Sequence, residues 1–233
     1  MADPYLLPVD TTLDAAGRVV AVLPVGSLEQ HGPYLPLITD TVVACTVAAA
    51  IARVHPVRVL PPVTISCSHE HAAWPGTVSI SARTLYSVVE DIASSLRRAG
   101  VPNLVLLNGH GGNYVLSNVA QETEGVALFP TGADWAHARA RAGLETSSRA
   151  DMHAGELETS VLLHAHPTLV KPDYETADHD AEDRPHLLTR GLHLYTESGV
   201  VGRPSLASAR KGEAVVAGLV EAFGWCLAAL PGQ

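Results

Sequence analysis

Glu29, His31 and Asp40 fall in one short stretch, VGSLEQHGPYLPLITDT (25–41), where Pro33 and Pro36 stiffen the chain between them. In extended backbone, residues i and i+2 point to the same side, so Glu29 and His31 reach adjacent points while Gln30 turns away. Such a pair suits two neighbouring cations better than one shared ion. Asp40 follows the proline-stiffened return and carries two carboxylate oxygens. A carboxylate is the natural bridge between cations about 3.5–4 Å apart. The expectation is that Glu29 and His31 each hold one ion, with Asp40 between them.

Two later segments carry the same kinds of donor. LVLLNGHGGN (104–113) runs from an apolar stretch into His110, flanked by glycines that let backbone and ligand approach closely. DMHAGELETS (151–160) adds His153, Glu156 and Glu158 at a helix start. Imidazole nitrogen and carboxylate oxygen together favour zinc, manganese or iron over a thiolate site. The cysteines agree: Cys45, Cys67 and Cys226 are widely spaced, with no CxxC.

The elements that must position these groups alternate. Apolar runs at 19–26, 57–63, 104–109 and 126–130 read as strands buried on both faces. Helical patterns cover 41–54, 84–100, 114–125, 155–165 and 212–230, the second closed by two arginines, Gly100 and Pro102. This order implies an α/β fold, three-layer α/β/α, with a mostly parallel central sheet. In such sheets ligands bind beyond the carboxyl ends of the strands, which is where Glu29, His31 and His110 fall. The acidic stretch 176–190 reads as a surface loop, and 131–150 as either an inserted helix over the pocket or a contact between subunits. No repeat or linker divides the chain, so residues 1–233 are read as one domain.

Composition narrows the partners. The 15 basic and 24 acidic residues give a net charge of −9, with no Lys/Arg cluster, which argues against a nucleic-acid partner. The start, MADPYLLPVDTT, lacks the basic and apolar regions of a signal peptide, and no uninterrupted apolar run approaches about 18–20 residues. The expectation is a cytoplasmic protein with free thiols and no membrane partner.

Taken together, LPVGSLEQHGPYLPLITD, SHEHAAWPGTVSIS (68–81), NGHGGN and HAGELETS resemble the creatininase family of metal-dependent amidohydrolases in order and separation, from about residue 20 to 215. The resemblance implies a creatininase-like fold, a two-metal centre and a homo-oligomer, with a hexamer favoured. By matching position it implies Glu29, His31, Asp40 and His110 as ligands, with Asp40 bridging; Glu158 is read as the fifth, in place of the glutamate absent after His110, and Glu156 as a weaker substitute with a solvated side chain. His153 matches a proton-shuttling histidine. Ser68, Glu70, His71 and Trp74 of the SHEH loop are read as substrate-facing, with Glu70 and His71 orienting the substrate or the ligands. Creatininases proper carry a glutamate two residues after the histidine matching His110, where this chain has Gly112. That argues against creatinine as substrate.

The leading expectation is hydrolysis of a non-peptide C–N amide bond, cyclic amide or formamide, in a small biosynthetic molecule. Two divalent ions would assist, zinc first and manganese or iron as alternatives. The alternative is a peptidase trimming a modified precursor peptide of the mycofactocin type, although Trp74 and Arg203 depart from that pattern. A metal-binding protein without turnover is the third reading.

Overall fold

The computed structural model describes residues 7–231. The signal-peptide reading of the N-terminus therefore falls, over residues 1–6, outside the described residues. Four strands, β1 (Val20–Val25), β2 (Arg58–Val59), β3 (Asn103–Asn108) and β4 (Val126–Phe129), form one parallel sheet in the order β2-β1-β3-β4. After the single turn α1 (Thr12–Ala15) come α2 (Thr39–Val54), α3 (Ala82–Arg98), α4 (Val115–Glu122), α5 (Gly132–Ala142), α6 (Glu156–Ala165), the short α7 (Leu187–Arg190) and α8 (Ala209–Ala229).

Strand alternation sorts the core into two halves. Val20, Val22, Val105 and Leu107 pack with Val43 of α2, Ala138 of α5, Val161 of α6 and Phe223 of α8. Ala21, Leu23, Leu104 and Leu106 face the other way, onto Leu85 and Val89 of α3 and Leu116 of α4. Helices thus cover both faces, which is why β1 and β3 read as continuous apolar runs. β1 and β3 stay in register from Val20 opposite Asn103 to Val25 opposite Asn108, so both strands end level.

Two sequence expectations need correcting, and an open one, over 131–150, takes its helical alternative. The strand over 57–63 shrinks to Arg58–Val59, because Pro61 and Pro62 have no N–H to donate; pairing resumes only as a bridge between Val25 and Val63. The helix expected from 41 begins at Thr39, which moves Asp40 from a loop into the first turn of α2. Residues 131–150 contain α5, opened by a reciprocal capping box between Thr131 and Asp134 and closed by Gly143 at φ 63°. At 21 residues α8 has the length and hydropathy of a membrane span. Glu213 and Glu221 interrupt its apolar run. Its Val215, Leu219 and Phe223 are packed into the core.

Candidate active site

The first turn of α2 is wedged against the ends of β1 and β3. A β-carbon on Gly26 would lie 2.3 Å from Thr41 Oγ1, and one on Gly109 would lie 2.4 Å from the Asp40 carbonyl oxygen. Only bare backbone allows that approach. It carries Asp40 to the rim where the chain leaves β1 for Glu29 and His31, and β3 for His110.

Glu29, His31, Asp40, His110 and His153 are all buried there, and Glu158 is half-buried. Asp40 divides its two oxygens. Oδ1 lies 3.1 Å from His31 Nε2, which is 4.0 Å from Glu158 Oε2. Oδ2 lies 3.1 Å from His110 Nδ1, which is also 3.1 Å from Glu29 Oε1. Among the described residues two groups of donors share Asp40, Glu29–Asp40–His110 and His31–Asp40–Glu158, and a third joins Glu29, His31 and His153. Glu29 Oε1 and Asp40 Oδ2 are buried without a hydrogen-bond partner. Orphaned carboxylate oxygens are costly unless a cation satisfies them. The donor set therefore fits the two divalent ions that the sequence implies.

The histidines are oriented by backbone. His31 Nδ1 donates to the Glu29 carbonyl (3.1 Å), His110 Nε2 to the Cys67 carbonyl (2.9 Å) and His153 Nε2 to the Gln30 carbonyl (2.5 Å). In the neutral ring, each thereby turns its unprotonated nitrogen towards the carboxylates, as metal-binding imidazoles do. Glu29 is held from outside by the Ser27 hydroxyl (2.6 Å), and Glu158 Oε2 accepts the Ala154 N–H (2.6 Å).

Burial and mutual charge move the acidities apart. Burial lowers the His31 pKa, but Asp40, Glu158 and Glu29 outweigh it and push it up to about 9. His110 is raised for the same reason, by Glu29 and Asp40. Burial, with Asp40 nearby, raises Glu29. Asp40 is held well below the usual carboxylate range by His31 and His110 despite its burial. Burial lifts Glu158 to about 7 against the pull of His31. His153 is lowered well below an ordinary imidazole by burial and by His31 and His71, and His71 falls to about 3 through burial and His110.

A cavity of about 610 Å³ opens on this cluster, with His110, His153 and Glu158 in its wall. Its far side is α5 and the segment after it: Trp135, Arg139, Leu144, Thr146 and Ser147. Ser68, Glu70, His71 and Trp74 do not line it. Glu70 lines a second cavity of about 240 Å³ behind His110 and lies 3.7 Å from its Nε2. His71 sits inside the cluster, its Nε2 3.4 Å from Glu29 Oε1. Trp74 lies tilted to His71 and edge-on to His193, each ring centroid 6.4 Å away, and donates from its indole to the Glu197 carbonyl. Ser68 is buried, its hydroxyl unpartnered.

Glu156 is not a solvated side chain. It is fully buried, accepting from Lys211 Nζ (2.5 Å), the Thr146 hydroxyl (2.6 Å) and the backbone N–H groups of residues 145 and 146. Its side chain points away from Asp40 because Leu157 and Glu158 follow it around the turn. Sequence reasoning also missed Ser27, Gln30, Trp135 and Arg139. A capping-box signal at 131–134 was available for α5, which carries the last two; nothing local marked the first two.

Comparison with known proteins shows the family. The creatinine amidohydrolase (creatininase) family model matches residues 10–227. A mycofactocin precursor peptide peptidase of Mycolicibacterium smegmatis is 37% identical over 213 residues, 86% of this chain and 81% of that protein. A creatinine amidohydrolase of Pseudomonas putida is 36% identical over 101 residues, 41% of this chain and 39% of that protein. Among solved structures, a manganese creatininase superposes with a TM-score of 0.79 at 27% identity, covering 92% of this chain and 91% of the other.

Proposed function

The chain belongs to the creatininase family of amidohydrolases, and from that premise we propose that it hydrolyses a peptide amide bond using two divalent cations held by Glu29, His31, Asp40, His110 and Glu158. The observation that carries this reading is the division of Asp40, one oxygen in each donor group, beside two orphaned buried carboxylate oxygens. Zinc is the first candidate, with manganese or iron as alternatives, in keeping with manganese and zinc forms of related creatininases. When bound, such a pair lowers the pKa of a water and polarises a carbonyl.

The chain's own groups supply the rest. His153 lines the cavity and is neutral in this surrounding, with Nε2 committed to Gln30 and Nδ1 free to accept. It takes the proton released as water attacks and returns it to the departing nitrogen. That role differs from a histidine protonated at rest, because its lowered pKa leaves it a base first. Trp135, Leu144 and Leu157 give the cavity an apolar wall for substrate side chains.

The peptide reading is supported by the mycobacterial relatives' name and by a cavity larger than one small ring requires. The Pseudomonas putida relative favours the second reading, a cyclic amide or formamide. A homo-oligomer, a hexamer by family resemblance, belongs to the same proposal. The test is metal analysis of purified protein, followed by turnover assays on short peptides, formamides and lactams. Two equivalents of metal and peptide cleavage lost on chelation are expected. Metal-independent turnover, or turnover confined to small amides, overturns the reading.

A further inference from the structure

Gln30 stands between two of the proposed ligands, and its side chain is buried rather than turned out to solvent. Its amide orientation is fixed by backbone. Oε1 accepts the Gly32 N–H (2.9 Å), and Nε2 donates to the Gly199 carbonyl (3.2 Å). The remaining Nε2 hydrogen points at His71 Nδ1, 2.8 Å away. An amide NH₂ cannot accept, so His71 Nδ1 must present its lone pair. A doubly protonated ring would set N–H against N–H. The ring therefore carries its hydrogen on Nε2, and that nitrogen lies 3.4 Å from Glu29 Oε1.

His71 thus has the opposite sense to His31, His110 and His153, which turn unprotonated nitrogens inward. Its protonated nitrogen sits beside the carboxylate oxygen that has no hydrogen-bond partner, while the Ser27 hydroxyl holds the other oxygen. The backbone is shaped for this. Gly199 has φ +88°, and a β-carbon there would lie 1.8 Å from Gln30 Oε1. Any side chain at 199 would expel the amide.

We infer that Gln30 and His71 are positioning residues: Gln30 fixes the tautomer of His71, and His71 orients Glu29 for cation binding. The consequence for cations rests on the proposed ligand role of Glu29; the polarity of the hydrogen-bond chain does not. Groups of this kind are worth about 10–100-fold in metal affinity.

The experiment uses ¹⁵N-histidine-labelled full-length protein, with His71 assigned by its loss in His71→Gln. Ring nitrogen shifts at neutral pH report the tautomer, and chelator competition reports zinc affinity. Wild-type protein is expected to show the Nε2–H form. Gln30→Glu, which can only accept, is expected to switch His71 to the Nδ1–H form and to weaken zinc binding about 10–100-fold. That variant also loses the bond to Gly199, which lowers its melting temperature but does not select a tautomer. An Nδ1–H or doubly protonated ring in the wild type overturns the inference without need of any variant. A switched tautomer with unchanged zinc affinity overturns the positioning role. Wild type in the Nε2–H form that binds no zinc upholds the hydrogen-bond chain and overturns the proposed ligand set instead.

Discussion

Two buried ionic clusters border one cavity, and they are satisfied in opposite ways. Behind the cavity, Glu156 is matched by Lys211 and three further donors, and Asp151 by Arg139 Nη1 (2.8 Å) and the N–H groups of Glu156 (2.7 Å) and Leu157 (3.1 Å). Every carboxylate there has protein cations and amides of its own. At the rim, Glu29, Asp40 and Glu158 gather around imidazoles, and two oxygens are left over. The first cluster is closed and structural. The second leaves oxygens that the proposed cations would satisfy, and that difference marks it as the candidate reactive centre more clearly than burial does.

Replacing Asp40 tests the difference most severely. Asp40→Asn keeps the shape and removes the bridging charge. Metal content is expected to fall from two ions to one or none, and peptide hydrolysis by more than the roughly 10²-fold that an outer partner is worth. Full occupancy by elemental analysis would break the contrast. Lys211→Met attacks the closed cluster and should act on stability alone. Leaving Glu156 buried and unpaired costs about 3–5 kcal/mol. At about 2–4 °C per kcal/mol for a chain of this size, the melting temperature should drop on the order of 10 °C. Metal content should stay unchanged.

The third prediction concerns pH. In chelated protein, His31 (about 9 against 6.5) and Glu158 (about 7 against 4.5) both have raised folded-state pKa values. A raised pKa gives stability that is complete below the unfolded value and is lost as pH climbs to the folded one. Their contribution therefore declines between pH 4.5 and 9, while the lowered Asp40 loses its share only in acid, below 3.8. Metal binding must displace these protons, so zinc affinity rises over the same interval. Melting scans should show the gap between zinc-loaded and chelated protein widening from pH 5 to 9. A constant gap would refute the assignment. The smallest effect is expected from Trp135→Ala: KM for a peptide rises about tenfold, equivalent to roughly 1.4 kcal/mol of aromatic contact, with kcat little changed.

What the sequence made legible follows from how local each cause is. β1 and β3 were readable because both faces are apolar, and Gly100, at φ +82° beyond α3, because glycine punctuates helices in a fixed way. The ligand candidates were readable by type: a glutamate, an aspartate and histidines amid apolar sequence have few other uses. The start of α2 was not, since Ile38 at its N-cap offers no capping side chain. The role of Gln30 was not readable, because its partners His71 and Gly199 lie 41 and 169 residues away. The Glu156–Lys211 pair joins residues 55 apart. No periodicity reports such a pair; only the packing of α6 on α8 creates it.

The far wall of the cavity comes from one continuous parcel of chain, α5 and the residues running on to 148, inserted between β4 and His153. It supplies the surface a substrate would lean on, and it contributes none of the converging carboxylates. Under the proposed function, selectivity and reactivity would be written largely in separable passages, so exchanging this one passage should alter the choice of molecule and leave the rim's donors in place.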